Sequence, residues 1–187
     1  MNDLYHQIKA YQPFNEQEEN DKKLFLQWLD SKQDIYTRKN EVAHLTASAW
    51  VVSPNRKQVL MVYHNLYNSW SWMGGHADGE RDLLAVTYRE VAEESGLSNL
   101  KLLSPNIYSL ETLCVDGHEK KGNYVSSHLH LNITYLFEAN PEDPIRIKED
   151  ENSDIGWIAI DDIANVCSEP WFVQRIYSKL ITKLKDY

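Results

Sequence analysis

Cysteine is scarce in this chain, and Cys114 and Cys167 are the two that its 187 residues contain. A disulfide framework is therefore not expected, and two free thiols fit a reducing compartment such as the cytoplasm. Long apolar runs are also missing, since no stretch approaches the roughly 20 residues that a helix needs to cross a bilayer. Residues 1–9 contain no apolar signal segment, so secretion is not expected either.

Positively charged residues are in the minority, because the chain has 19 basic and 28 acidic residues and a formal net charge of −9. This balance argues against nonspecific binding to nucleic acid or to a membrane surface. It also repels a polyphosphate, so a substrate of that kind would need a cation or a local basic patch. The length and an apolar content of 42% suit one folded domain with an added element.

A glycine-rich turn, residues 74–80, leads into a predicted helix that carries Glu90, Glu93 and Glu94. Their spacing of three and four residues makes these side chains neighbours on one helical surface. Like charges so placed destabilise a helix by roughly 0.2–0.5 kcal/mol per pair, and binding of a cation would offset this. Hard carboxylate oxygens suit Mg²⁺ or Mn²⁺. The alternative is a solvated acidic face without a ligand.

The periodicity of this helix places Glu94 within its apolar arc, Glu90 at the edge of the arc and Glu93 further round. Glu90 and Glu94 are therefore expected at the seam between the helix and a sheet. A carboxylate on a buried side needs a partner, and a metal ion would serve. The helix is predicted to start near Asp82 and to end with Gly96.

The rest of the chain divides into a helical extension, residues 1–40, and a main domain, residues 42–187. In the extension, Asn15 is expected to cap a helix, and Pro13 separates that helix from a shorter one. One face of the extension should dock on the main domain or on a second subunit, so a homodimer is one expectation. The main domain is predicted to contain a hairpin (Leu45–Val52 and Gln58–His64), a short strand (Trp70–Met73), an extended region (Leu102–Val115), strands over Tyr124–Ala139 and Ile155–Ile160, a short helix capped by Asp161, and a C-terminal helix opened by Pro170.

The turn and helix together resemble the Nudix box. The matching residues are Gly75, Arg89, Glu90, Val91, Glu93, Glu94, Gly96 and Leu97. One position departs, because Arg81 stands where the pattern has its first glutamate and Glu80 lies one residue early. Met73 also precedes the paired glycines, where many members have a proline. The resemblance implies the Nudix α/β/α sandwich, with a mixed sheet between helices, for residues 42–187.

The resemblance also implies an activity, which is hydrolysis of a diphosphate linkage in a nucleoside diphosphate joined to another group. Water would attack phosphorus in a reaction that depends on Mg²⁺ or Mn²⁺. The metal would be held by Glu90, Glu93, Glu94 and the carbonyl of Gly74, and Arg89 would orient the glutamates. Within the box, Glu90 is our first choice for the group that takes the proton from water.

A further carboxylate is expected from the acidic loop that precedes Trp157. In relatives of the family, an acidic residue of this loop reaches the metals or acts as the base. Glu151 is the residue most similarly placed, and Glu149 comes next. The alternative is a solvated acidic loop.

Histidines and lysines provide candidate contacts to substrate. Two lysines and a histidine lie near the tip of a predicted turn, residues 116–123, and could hold phosphate groups. Two further histidines share one face of a predicted strand, and another directly follows the paired glycines. The alternatives are a solubilising hairpin tip and a hydrogen-bonded histidine pair. The substrate-binding candidates are therefore His76, His118, Lys120, Lys121, His128 and His130.

Two other functions share the implied fold. A non-catalytic nucleotide sensor would be signalled by a broken box, but the Arg-Glu and Glu-Glu pairs are intact and no basic patch for nucleic acid is seen. An isopentenyl-diphosphate-type isomerase needs a reactive cysteine in a Thr-Asn-containing motif, and Cys114 stands instead after Glu-Thr-Leu. The expected partner is a small diphosphate. Its identity is not fixed, because enzymes for sugar nucleotides, dinucleoside polyphosphates, coenzyme A and oxidised nucleotides share the box.

Overall fold

A mixed sheet forms the centre of the protein in the computed structural model, which describes residues 3–120 and 122–187. The strands are β1 (Ala43–Val52), β2 (Gln58–His64), β3 (Ser69–Ser71), β4 (Met73–His76), β5 (Lys101–Leu102), β6 (Ser109–Val115), β7 (His118–Lys120), β8 (Asn123–Val125), β9 (His128–Glu138) and β10 (Asn152–Ala159). In the main sheet, β10, β2, β1 and β9 are consecutive neighbours. Strands β1 and β9 run parallel, whereas β1 and β4 are antiparallel.

Helices cover both faces of this sheet, which confirms the predicted α/β/α sandwich with helices at the N-terminus. The helices are α1 (Asp3–Ala10), α2 (Glu16–Asp30), α3 (Leu83–Ser95), α4 (Ile163–Val166), α5 (Pro170–Phe172) and α6 (Ser178–Lys183). Because side chains alternate along a strand, Leu45 and Ala47 of β1 join one apolar cluster with α3 and the N-terminal helices. Trp50 and Val52 join another cluster with the C-terminal helices. None of the helices in the described ranges is long and apolar enough to cross a membrane.

Helix α3 begins and ends where the sequence predicts. The side chain of Asp82 accepts a hydrogen bond from the Ala85 N–H at 3.1 Å and so caps the first turn. Gly96 ends the helix with φ of 74°, a left-handed conformation that glycine adopts without steric cost. These two ends fix the rotation of the helix and hence the direction in which each of its glutamates points.

The N-terminal helix α2 is tied to the C-terminal helix by a buried ionic cluster. Asn15 caps α2 by accepting from the Glu18 N–H, as predicted. The Glu18 carboxylate is fully buried, and Lys179 and Lys183 lie 3.3 and 3.0 Å from it. Lys179 also contacts Glu111 of β6 at 3.0 Å. The extension is thus joined to the sheet and to the last helix by charges as well as by apolar packing.

Two predicted strands are interrupted. The strand expected over Tyr124–Ala139 breaks after Val125 and resumes at His128, so the prediction that Ser127 belongs to it was wrong. Local hydrogen bonds replace the ladder, because Ser127 Oγ accepts from the Gly117 N–H and the Ser126 carbonyl contacts His128 Nδ1. The extended region over Leu102–Val115 likewise breaks between β5 and β6.

The C-terminal segment differs in detail from the single helix that the sequence predicts. It begins at Pro170 as expected, but a π-helical segment (Val173–Tyr177) separates α5 from α6. Ile176 and Leu180 still face the core. The predicted capping role of Asp161 was wrong, because a 3₁₀ turn (Ile160–Asp162) precedes α4 and contains Asp161, with no side-chain cap.

Candidate active site

Glu90 of α3 lies directly over the backbone of Gly75. Strands β1 and β4 pair there, with Gly75 opposite Ala47. A Cβ atom placed on Gly75 would lie 2.5 and 2.7 Å from the two carboxylate oxygens of Glu90, closer than real Cβ atoms come to any atom. A glycine at this position therefore allows the helical carboxylate to reach the strand backbone.

Glu94 is the most buried of the box glutamates, with 5% of its surface exposed. The Gly74 N–H donates to its Oε1 at 3.0 Å, and Asn152 Nδ2 donates to its Oε2 at 3.1 Å. Burial raises the pKa of Glu94 to about 7, and the charges of Glu90 and Glu151 raise it further while the two hydrogen bonds oppose the change. A cation beside this carboxylate would favour its ionised form.

Arg89 holds Glu90 more closely than Glu93. Its guanidinium donates to Glu90 Oε1 at 2.8 Å and to the His76 carbonyl at 3.3 Å. Its Nε lies 3.9 Å from Glu93. The hydrogen bond to Glu90 raises the pKa of Arg89 despite partial burial. The sequence predicts that Arg89 braces Glu93 as well, but the shorter contact orients Glu90.

The acidic loop brings Glu151 to the glutamates of the helix. Lys148 lies 3.0 Å from Glu151 and 3.5 Å from Glu93, so one ammonium group bridges the loop and α3. Glu93 and Glu151 remain about half exposed, with 46% and 48% of their side-chain surface accessible. Lys148 and Asn152 were not identified from the sequence. They directly precede and follow the acidic run Glu149–Glu151, so a search of the residues next to that run would have found them.

The histidines expected to bind substrate form a cluster on the opposite face of the sheet from α3. His130 Nε2 lies 3.2 Å from His76 Nε2 and also 3.2 Å from His128 Nε2. His44, which sequence reasoning missed, packs against all three, with ring centroids 4.9–5.1 Å away. His118 stands 6.4 Å from His128 at the edge of this cluster.

The basic tip of the hairpin formed by β7 and β8 is only partly defined. The backbone of Lys120 belongs to β7, but its side chain and the whole of Lys121 lie outside the described residues. Gly122 follows with φ of 79° and forms the turn. The predicted contacts of these two lysines with substrate therefore stay predictions.

Comparison with known proteins matches residues 42–180 to the model of the NUDIX domain. The chain belongs to the NUDIX family. The family and the fold support a pyrophosphohydrolase, as the sequence predicts, and members of this family generally use divalent metals. No curated protein matches the chain.

Several solved structures share the Nudix fold. An Ap4A hydrolase from C. elegans aligns with a TM-score of 0.55 and 18% identity over 76% of this chain and 95% of that one. A MutT protein from Methanosarcina mazei Go1 gives 0.53 and 14% over 78% and 98%. The NUDIX domain of Shewanella oneidensis NrtR, solved with ADP ribose, gives 0.53 and 15% over 86% and 96%. At these identities the likeness shows the fold alone.

The departure from the Nudix box has a local explanation. Arg81 lies over the ring of Tyr36, with 4.5 Å between its guanidinium carbon and the ring centroid. The Glu80 carboxylate accepts from the N–H groups of Arg81 and Asp82 at 2.7 and 2.9 Å, which lowers its pKa. These contacts of Glu80 and Arg81 lie at the entry to α3, where Asp82 caps the helix.

Cys114 offers no support for an isomerase within this Nudix domain. It is exposed on β6, and its neighbour Leu113 pairs with His130 of β9. Since adjacent side chains of a strand point to opposite faces, Cys114 points away from the histidine cluster. The exposed thiol of Cys114 and the imidazoles of the histidine cluster therefore lie on opposite faces of the sheet.

Substitution of Gly75 by alanine tests the close approach of Glu90. The added Cβ would displace the carboxylate, so we expect Gly75→Ala to lower kcat/KM by about 10–100-fold, the usual cost of misplacing an active-site group by about 1 Å. Gly156→Ala is the matched control, because a Cβ there meets Trp70 at an ordinary 3.6 Å. If Gly75→Ala and Gly156→Ala have the same turnover, the close approach of Glu90 to Gly75 is not needed for activity.

Proposed function

We propose that this chain is a divalent-metal-dependent hydrolase that cleaves a diphosphate linkage in a nucleoside diphosphate joined to another group, by attack of water on phosphorus. The observation that carries the proposal is the buried Glu94 carboxylate, held at the paired glycines beside Glu90 and Glu151. Burial and these neighbouring charges oppose its ionisation. Such an arrangement is unfavourable by itself and becomes favourable when it binds a cation.

The donor groups fit Mg²⁺ or Mn²⁺. Glu90, Glu93 and Glu94 supply hard carboxylate oxygens, and we propose that the carbonyl of Gly74, whose N–H contacts Glu94, is a further ligand. The Asn152 carboxamide supports this fit, because its nitrogen donates to Glu94 while its oxygen is buried without a protein partner. When bound, the ion would polarise a phosphoryl oxygen and lower the pKa of a water molecule.

The residues of the chain have separate roles in this proposal. Glu90, oriented by Arg89, takes the proton from the attacking water. Glu151 assists from the acidic loop, where Lys148 holds it near the helix at 3.0 Å. Glu94 stays deep in the site and fixes its geometry through its hydrogen bonds to Gly74 and Asn152.

Substrate recognition is proposed to involve the nucleotide and its phosphates. The C. elegans structure is that of an Ap4A hydrolase and the NrtR domain was solved with ADP ribose, and we extend the shared chemistry, a nucleoside attached to a diphosphate, to this chain. Contacts from His76, His118, Lys120, Lys121, His128 and His130 remain predictions. So do a cytoplasmic location and a homodimer.

The test is a panel of purified diphosphates incubated with the protein and Mg²⁺, Mn²⁺ or EDTA. Its members are a sugar nucleotide, ADP-ribose, a dinucleoside polyphosphate, coenzyme A and an oxidised nucleoside triphosphate. The proposal expects metal-dependent release of a phosphate ester from at least one of them. Tight binding of a nucleotide without turnover would instead indicate the sensor function. Absence of both binding and turnover across the panel would contradict the proposal.

Glu151→Gln tests the contribution of the acidic loop. The substitution keeps the shape of the side chain and removes its charge, so we expect kcat to fall by about 10-fold, while Glu90 remains as the main base, and KM to change little. Glu142→Gln, an exposed change in the same loop, is the control and should retain the parent rate. If Glu151→Gln keeps the rate of this control while Glu149→Gln lowers it, Glu149 has the role instead. If neither substitution lowers the rate, the box alone supplies the base.

A further inference from the structure

Four histidines from three strands meet on the face of the sheet opposite α3. His44 of β1 is paired in register with His130 of β9, and His128 precedes His130 by two residues on the same face. His76 of β4 lies opposite Thr46, the next residue of β1 on that face. The sheet itself therefore positions these imidazoles, so their convergence does not depend on a loop.

Two of the distances between ring nitrogens match those between neighbouring ligands of one metal ion. In a tetrahedral zinc site with Zn–N bonds of about 2.0–2.1 Å, neighbouring nitrogens are about 3.3–3.4 Å apart. His130 Nε2 lies 3.2 Å from the Nε2 atoms of both His76 and His128. The ligand atoms of His44, His76 and His130 all lie within 4.8 Å of one another. Within the described ranges, no other group of His, Cys, Asp or Glu converges to this extent.

Hydrogen bonding alone cannot satisfy these contacts. A neutral imidazole nitrogen carries either one hydrogen or one lone pair, yet His130 Nε2 faces two other Nε2 atoms at 3.2 Å. Only one of the two contacts can be a well-formed hydrogen bond. A cation at the centre would use all of the lone pairs.

Backbone carbonyls hold two of the rings in the tautomer that a metal needs. His44 Nδ1 lies 3.0 Å from the Asn40 carbonyl, and His128 Nδ1 lies 2.8 Å from the Ser126 carbonyl. Because a carbonyl only accepts, each Nδ1 carries the hydrogen and each Nε2 keeps its lone pair. His44 Nε2 is buried with no hydrogen-bond partner, in a residue that is 4% exposed. Metal-binding histidines are commonly held in this way.

We propose that His44, His76 and His130 bind a transition-metal ion of the Zn²⁺ class, and that His128, whose Nε2 lies 3.2 Å from that of His130, flanks the site. Imidazole nitrogens suit zinc, copper or nickel, whereas Mg²⁺ prefers oxygen. This site is separate from the carboxylates of α3, since Gly75 under Glu90 and His76 are consecutive residues on opposite faces of β4. The ion would tie β1, β4 and β9 together at the edge where the glycine-rich turn leaves the sheet.

Zinc binding to the whole chain tests this site. The protein is stripped with EDTA, dialysed and titrated with Zn²⁺ against a chromophoric chelator. We expect the parent and Glu94→Gln to bind one ion with the same affinity, because Glu94 belongs to the other site. His44→Ala/His130→Ala should weaken binding by at least about 100-fold, since loss of outer-shell partners alone costs 10–100-fold. The matched control is His6→Ala/His64→Ala, which removes two histidines outside the cluster and should bind as the parent does.

Cobalt provides a readout that does not depend on whether the histidine variants fold. Co²⁺ added to the parent protein and to Glu94→Gln should give the intense visible absorption of a tetrahedral, nitrogen-bound ion. The weak spectrum of an octahedral, oxygen-bound ion would overturn the proposal. So would absence of zinc binding by the parent, or parent-like affinity in the folded double-histidine variant. Because Glu94→Gln keeps this site, failure of the proposed hydrolase would leave these results unchanged.

Discussion

Replacement of Glu94 by glutamine should lower kcat/KM for diphosphate hydrolysis by at least about 100-fold. Removal of a residue that only supports a metal ligand already costs about 10–100-fold, and Glu94 is proposed to be a ligand itself. Glu94 is the deepest carboxylate of the site and accepts from the Gly74 N–H at 3.0 Å. Glutamine keeps the size of the side chain but cannot carry the charge that a divalent ion needs. Mg²⁺ affinity, measured by calorimetry, should fall together with turnover.

Stability measurements separate this loss of activity from misfolding. The folded protein raises the pKa of Glu94 from 4.5 to about 7, so the wild-type protein, kept in EDTA, loses stability as the pH rises through that range. Glutamine does not titrate. The difference in unfolding free energy between Glu94→Gln and the wild-type protein should therefore not change with pH below pH 4.5. Between there and neutral to slightly alkaline pH, it should shift in favour of the variant by on the order of 2–3 kcal/mol.

Glu142→Gln is the control for this experiment, because it makes the same chemical change at an exposed position. It should leave turnover, Mg²⁺ affinity and the pH dependence of stability at their parent values. Near-parent turnover and metal affinity in Glu94→Gln would show that this carboxylate does not hold the catalytic ion.

Replacement of Lys179 by methionine should destabilise the protein by about 3–5 kcal/mol, the usual cost of removing one partner from a buried ion pair. Its ammonium group lies 3.3 Å from Glu18 and 3.0 Å from Glu111, and both carboxylates are fully buried. Methionine fills a similar volume but leaves Glu111 without its cation and Glu18 with Lys183 alone. Urea unfolding followed by circular dichroism measures the change.

Lys185→Met provides the matched comparison, because that lysine is exposed near the end of the same helical segment. Its free energy of unfolding should stay within about 0.5 kcal/mol of the parent value. A Lys179→Met variant as stable as Lys185→Met would show that the buried cluster does not tie the N-terminal extension to the domain.

Local signals were sufficient to predict much of the carboxylate site. Helical periodicity placed Glu94 inside and Glu93 outside, and the structure shows 5% exposure for the first residue and 46% of the side chain for the second. Asp82 and Gly96 marked the ends of the helix because caps are chosen by short-range chemistry. The family resemblance then placed the paired glycines next to these glutamates.

The histidine cluster could not be predicted in the same way. His44 and His130 are neighbours only because β1 and β9 run parallel in one register, and this pairing joins strands 86 residues apart in sequence. The contact between Asn152 and Glu94 spans 58 residues and likewise depends on the folded sheet. Side-chain alternation predicted that His128 and His130 share a face, but it did not show which other strands supply partners.

Hydrolysis in ¹⁸O-labelled water tests whether water attacks phosphorus in a metal-dependent reaction at the carboxylates of α3. The wild-type protein, Glu94→Gln and Glu142→Gln are each incubated in this water with Mg²⁺ and a diphosphate that the wild-type protein hydrolyses. The masses of the products are then measured by mass spectrometry. We expect one ¹⁸O atom in a phosphate-containing product for the wild-type protein and Glu142→Gln, with little product from Glu94→Gln and none in EDTA. Equal labelled product from Glu94→Gln, or cleavage that persists in EDTA, would contradict a metal-dependent attack of water at the carboxylates of α3.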